Sequence, residues 1–146
     1  LESFELFLGR LKDGGTAIVK HGLPFPADIR YAKEEACDAH ARNIRVADGD
    51  FYFDYVAHQH LIADIRLGMP GLHNVENAVA AIAVARLLGI ADGAIKTALG
   101  SFRGVKRRFE YIVRRPDAVY IDDYAHHPEA LRLSSVRCGG CIPTGN

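Results

Sequence analysis

Apolar residues recur at helical spacing from the start of the chain. Phe4, Phe7, Leu8 and Leu11 fall on one face and predict an amphipathic helix over residues 2–12, ended by Gly14-Gly15. "TAIVK" then predicts a buried strand, followed by a loop through "HGLPFP". "IRYA" predicts a short strand, with "KEEACD" as a further strand candidate behind it. From Ala39 to Leu67 the pattern is that of strands. "HARNIRVA", "DFYFDYVA" and "LIADIRLGM" are three runs separated by turn residues, and Asp48-Gly49 between the first two is a hairpin signal. These runs predict a β meander.

The period changes after Pro70-Gly71. Asn74 to Leu88 is Ala-rich and apolar on more than one side, which predicts a helix buried inside a domain, closed by Gly89. Asp92 opens another helix through about Leu99. "GSFRGVKRR" is a basic, Gly-containing connector, and "FEYIV" and "AVYID" predict two strands around a turn at Arg115-Pro116-Asp117. Pro128 can start a further helix, but "CGGCIPTGN" at the end supports nothing regular. No repeat or low-complexity segment interrupts this order. The elements predict an α/β fold: most of one α/β unit over residues 1–104, a junction near 101–107, and the opening of a second unit over 105–146.

Composition narrows the class. The chain has 146 residues, 49% hydrophobic and 25% charged, the balance of a globular protein. Lys and Arg equal Asp and Glu at 18 each, so no general field favours nucleic acid or an anionic membrane. The longest apolar stretch, Ala78 to Leu88, is broken by Arg86 and too short to span a bilayer. The first residues carry acids within the apolar pattern, unlike a signal peptide, so the expected location is the cytoplasm. Cys37 stands alone, and the "CGGC" of Cys138 and Cys141 lacks the second pair or redox context of a metal or disulfide motif.

Three stretches carry candidate chemistry. In "GLHNVENAVAA", Gly71 permits a tight turn, and His73 or Asn74 can cap the helix that follows. Asn74 and Asn77 lie three apart, hence on one helical face, and each carboxamide offers a donor and an acceptor. That set matches an adenine edge; the alternative is a cap at Asn74 and a solvated Asn77. In "KRRFE", Lys106, Arg107 and Arg108 suit phosphate binding or form a solvated charge run, and strand alternation would not aim all three together. In "IDDYAHHPE", Asp122 and Asp123 follow a strand at its carboxyl end, where α/β sheets place ligand groups. An aspartate there can accept ribose hydroxyls, and His126 or His127 can donate to a phosphate. Metal ligation by the His pair, or a polar turn capping the next helix, are the other readings.

The order of these motifs resembles the Mur ligases, ATP-dependent amide-bond-forming enzymes of peptidoglycan synthesis. "GLHNVENAVAAIAVARLLGI" looks like the family's adenine-side helix at the end of its central ATPase domain. "SFRGVKRRFEYI" resembles the crossing into the C-terminal domain, and "YIDDYAHHPEAL" the first ligand loop of that Rossmann-like domain. Within the family, "RRFE" followed by "DDYAHHP" points to the alanine-adding branch, with the murein peptide recycling ligase as the nearest alternative. A non-catalytic nucleotide-binding or interaction module is the competing class. The resemblance implies that Asn74 and Asn77 sit at the adenine, Arg108 reaches the ATP phosphates, Asp123 holds the ribose and His126 supports that loop. It assigns a catalytic or metal-binding role to none of them, and leaves His73 and Asp122 as structural neighbours.

The implied cofactors are ATP and Mg²⁺, and the implied substrates are UDP-N-acetylmuramate and L-alanine. The lactyl carboxylate of the UDP-sugar would take the γ-phosphoryl group, and the alanine amine would then displace phosphate from the acyl phosphate. The chain departs from the family in three respects. It contains no G-x-x-x-x-G-K-[ST] phosphate loop, "GRLKDGGT" having neither its spacing nor its Lys. The family's early metal positions, and so the Mg²⁺ ligands, and its N-terminal UDP-binding domain are also missing. After Arg137 the resemblance stops. The expectation is an internal fragment with an unnatural end, inactive alone, whose uncovered strand edges and faces favour a homodimer.

Overall fold

The computed structural model describes residues 2–47, 50–69, 71–105, 110–115, 118–122 and 124. The chain divides into two units, Leu1–Phe102 and Arg103–Asn146. The first is built on a five-stranded mixed sheet in the order β1-β2-β3-β4-β5. The strands are β1 (Ile18–Lys20), β2 (Ile29–Ala32), β3 (Ala39–Ala47), β4 (Asp50–Ala57) and β5 (His60–Leu67). β1, β2 and β3 run parallel; β3, β4 and β5 form the expected antiparallel meander.

Parallel neighbours ordinarily need a long crossover, yet short loops join these. The strands are only three and four residues long, so the chain has little distance to retrace. Polar contacts hold the returns. Ala17 N donates to Asp28 Oδ2 at 2.7 Å, Arg30 Nη1 donates to the Leu23 carbonyl at 3.0 Å, and Arg30 N donates to Asp38 Oδ2 at 2.7 Å. Phe25 is buried in the first return. "KEEACD" is one of these returns and not a strand, because its residues turn the chain back to start β3.

Two helices cover one face of the sheet: α2 (Leu72–Leu87) and α3 (Asp92–Ser101). Their buried side chains Val75, Ala78, Val79, Ile82 and Ile95 join Ala39, Ala41, Phe53, Tyr55, Ile62, Ile65 and Leu67 in one core. Each fully buried Val, Leu, Ile or Phe side chain in such a core contributes about 1.5–3 kcal/mol. The helical residues of this set follow i, i+3, i+4, i+7 spacing, so α2 buries a single stripe. This corrects the expectation of a helix buried on several sides: Leu72, Val84 and Leu87 are exposed. Val and Ala supply helix-compatible apolar character all round, while the sheet offers only one surface.

The first helix, α1 (Glu2–Leu8), is also shorter than the predicted 2–12. Arg10 N and Leu11 N donate three residues back, to Phe7 and Leu8, so the chain tightens into a turn after Leu8. No α1 residue is buried and Phe7 is 74% exposed, with the Phe4 ring 5.9 Å from that of Phe25; so little burial does not sustain a longer helix.

In the second unit, β6 (Glu110–Arg115) and β7 (Ala118–Asp122) pair antiparallel, as "FEYIV" and "AVYID" predict. The hairpin turn Asp48-Gly49, the turn residues Pro116-Asp117, the helix start at Pro128 and the tail after Arg137 lie outside the described residues. Among the described residues no helix is long and apolar enough to cross a membrane.

Candidate functional site

The amino end of α2 meets the carboxyl ends of β1 and β2. That is where open α/β sheets place ligands, and here a cavity of about 310 Å³ opens. Lys20, His21, Lys33, Glu35, His73 and Glu76 supply its polar lining. Lys20 and Ala32 are the last residues of their parallel strands, so the strand ends aim these side chains at the helix.

Gly71 makes this entry possible. It stands before α2 at φ 110°, a region L side chains rarely adopt, and an added Cβ would come 2.4 Å from the His73 ring. The expectation that His73 or Asn74 caps the helix is corrected. The helix starts two residues earlier than Asn74, Gly71 takes the N-cap position, and no side chain caps it. Asn74 therefore lies inside the first turn, its N–H donating to the Gly71 carbonyl at 2.9 Å. Asn77 follows one turn later. Asn74 is half-buried and Asn77 exposed, and the helix brings both onto one side.

Across the cavity, Lys20 Nζ lies 2.9 Å from Glu76 Oε2. The hydrogen bond that Lys20 donates to Glu76 raises the Lys20 ammonium above the ordinary Lys value, so it stays charged at neutral pH. Glu35, at the rim, is held below the usual carboxylate range by the backbone N–H groups of Glu35 and Glu34. Lys20 and Glu76 escape a motif-based reading of the sequence. Their signals are a cation ending a strand at "TAIVK" and an acid between the two asparagines, and both acquire meaning only once β1 is paired parallel to β2.

A second cavity, of about 260 Å³, lies at the other end of α2 and includes Tyr55, His60, Arg86 and Leu87 in its lining. Two of its polar groups, His60 and Arg86, are held by Asp92 and by each other. Arg86 Nη1 donates to Asp92 Oδ1 at 2.9 Å, and His60 Nε2 stands 2.9 Å from Asp92 Oδ2 and 2.7 Å from Arg86 Nη1. Asp92 opens α3, as expected, and the Arg86 guanidinium and the His60 ring take its carboxylate; Ala91 is the N-cap. The cluster ties the start of β5, the end of α2 and the start of α3. Burial raises the Tyr55 phenol above its ordinary value, which keeps it protonated.

Cys37 is half-buried and donates to the Ala39 carbonyl at 3.3 Å. Burial pushes its thiol up, the opposite of an activated nucleophile. No group of three or more His, Cys, Asp or Glu that could hold a metal occurs among the described residues. Asp122 ends β7 and is half-buried. Lys106, Arg107, Arg108, Asp123, His126, His127, Cys138 and Cys141 lie outside the described residues.

The chain matches no family model. It is 40% identical over 141 residues to the UDP-N-acetylmuramate–L-alanine ligase of Phocaeicola vulgatus, covering 92% of this chain and 31% of the relative. Among solved structures it resembles the UDP-N-acetylmuramate-alanine ligase MurC of Thermotoga maritima, with a TM-score of 0.67 and 27% identity over 80% of this chain and 27% of that one. It also resembles MurF of Acinetobacter baumannii, with a TM-score of 0.70 and 29% identity over 84% of this chain and 28% of the other.

Proposed function

Because this chain belongs to the Mur ligase family, spanning about three tenths of the alanine ligase it matches, we propose that it forms part of an ATP-dependent ligase joining L-alanine to UDP-N-acetylmuramate. The observation that carries this reading is the 40% identity over 92% of the chain to a relative bearing that name. In this reading residues 1–104 are the end of the central ATP-binding domain, and 105–146 begin the C-terminal domain. The work is cytoplasmic, in peptidoglycan synthesis.

The residues present fit a nucleotide at the amino end of α2. Two carboxamides one turn apart offer paired donors and acceptors to an adenine edge, and the half-buried position of Asn74 limits competition from water. Arg108 contacts the ATP phosphates, Asp123 the ribose and His126 supports that loop. Mg²⁺ would supply charge neutralisation during phosphoryl transfer, with ligands expected outside this chain.

The test is phosphate release dependent on both L-alanine and UDP-N-acetylmuramate, measured in the intact protein that carries this sequence. Asn74→Ala and Asn77→Ala are each expected to raise the ATP KM about tenfold, the effect of losing one bidentate base contact. Arg108→Ala depresses kcat, and Asp123→Ala raises the ATP KM. Wild-type protein without substrate-dependent release would refute the ligase reading. Unchanged kinetics in all four variants would refute the residue assignments.

A further inference from the structure

We propose that the cavity at the carboxyl end of α2 binds a small zwitterion, an amino acid with a short apolar side chain. Its carboxylate lies on Arg86 and Tyr55, and its ammonium on Asp38. The asparagine pair stands at the other end of the helix, and the inference does not rest on the nucleotide reading.

Tyr55 starts the argument. The residue is only 2% exposed, and its hydroxyl has no hydrogen-bond partner among the described residues. No fully buried side-chain oxygen or nitrogen among those residues lacks a partner, so this hydroxyl opens onto the cavity that Tyr55 lines. It stays protonated and therefore donates. The Arg86 guanidinium lies close enough to act on that phenol electrostatically. Both protein contacts of Arg86, to Asp92 and to His60, are made by Nη1. Nε and Nη2 have no partner among the described residues, and they form the edge that grips a carboxylate through two parallel hydrogen bonds.

Asp38 brings the opposite charge to the same cavity. Its Oδ2 accepts from the Arg30 N–H at 2.7 Å, while Oδ1 has no partner among the described residues and can accept from an ammonium. Ile29, Ala57, Ala83 and Leu87 make the rest of the wall apolar. Arg86 and Asp92 cancel, so Asp38 leaves one negative charge. A carboxylate alone would double that charge, and an amine alone would leave the Arg86 edge and the Tyr55 hydroxyl unmatched. A zwitterion meets all three groups without changing the net charge. The volume of about 260 Å³ falls just below the roughly 300–1,000 Å³ of pockets for drug-sized ligands, which suits an amino acid.

The test is saturation-transfer NMR of the intact protein carrying this sequence, with L-leucine as the probe. Isocaproate, which lacks the amine, and isoamylamine, which lacks the carboxylate, are the controls. L-leucine is expected to bind with a Kd of about 1 mM, and each control about tenfold more weakly. Tyr55→Phe removes a hydroxyl that no described residue uses and should weaken L-leucine about threefold. Asp38→Asn keeps an acceptor for the Arg30 N–H and should weaken it about tenfold. Neither variant should move the L-alanine KM in a coupled phosphate assay, which separates this cavity from the substrate site of the proposed reaction. Binding is read without turnover, so failure of the ligase reading leaves the result intact, and Tyr55→Phe decides alone if Asp38→Asn does not fold. Absence of saturation transfer to L-leucine at about 10 mM overturns the proposal. So does L-leucine binding that ignores the variants, which would place it elsewhere, or isocaproate binding as tightly as L-leucine, which would leave Asp38 no role.

Discussion

Asp54 sits between two irregularities of the meander and satisfies both. The β3–β4 register shifts between Arg42 and Arg45, and the β4–β5 register between Phe53 and Tyr55. Asn43 and Asp64, at φ 52° and 55°, take up the left-handed backbone that such bulges require. Asp54 Oδ2 accepts from Asn43 Nδ2 at 2.6 Å, and Oδ1 accepts from Asp64 N–H at 2.7 Å. These contacts, the Asp64 N–H first, hold the Asp54 carboxyl below its ordinary 3.8. A depressed folded value means the contribution is complete at neutral pH and fades as pH falls through 3.8 and then the lower folded value. Asp54→Ala is expected to cost about 1 kcal/mol at pH 7 in urea unfolding, because the bulge donors lose a charged acceptor. The difference from wild type should shrink below about pH 3.8; one constant with pH would place the effect in packing. Neither the bulges nor their shared carboxylate were legible in the sequence. "RNIR" and "ADIR" read as plain strand, since alternation says nothing about where a ladder skips a residue.

Elements whose limits are set by local chemistry were the legible ones. α2 ends where Gly89 predicts. Gly89 N donates to the Arg86 carbonyl at 2.9 Å and Ile90 N to the Ala85 carbonyl at 3.0 Å, a Schellman arrangement with Gly89 at φ 73°. Gly89→Ala is therefore expected to cost about 1 kcal/mol, because the left-handed backbone penalises a Cβ. Gly93, inside α3, has open space at its Cβ position and no positive φ. Gly93→Ala should stabilise by about 0.5–1 kcal/mol through helix propensity and a less free unfolded chain. Urea midpoints moving in opposite directions would check both glycine assignments; equal shifts would count against the cap. The three meander strands were legible for the same reason, since alternation and turn residues are local. The parallel pairing of β1, β2 and β3 was not. It depends on Asp28, Arg30 and Asp38 reaching back across short loops, and no periodicity encodes those reaches. The candidate site follows that division. Asn74 and Asn77 were visible as a helical pair, whereas Lys20 became a neighbour of that helix only through the parallel edge.

At the scale of the whole molecule, binding and turnover separate. In the proposed reading Asn74 and Asn77 meet the base end of a nucleotide, while the reacting end demands an oriented terminal phosphate and neutralised charge. The sequence supplies no loop of the G-x-x-x-x-G-K-[ST] kind, whose backbone amides and Lys meet the terminal phosphates. The cations lining the cavity at the amino end of α2 do not replace it. Lys20 is committed to Glu76 at 2.9 Å, and Lys33 lies 3.5 Å from Glu34. Asn74 and Asn77 carry no charge, so they are ill suited to polarise a phosphoryl group. The 146-residue chain on its own is therefore expected to release no phosphate above background with ATP, Mg²⁺, L-alanine and UDP-N-acetylmuramate all present. A coupled phosphate assay that detects trace turnover checks this, with the intact protein carrying the sequence as the positive control. Release from the 146 residues that requires both alanine and the UDP-sugar would mean that phosphate activation resides within them, and the division between gripping and reacting parts would be wrong.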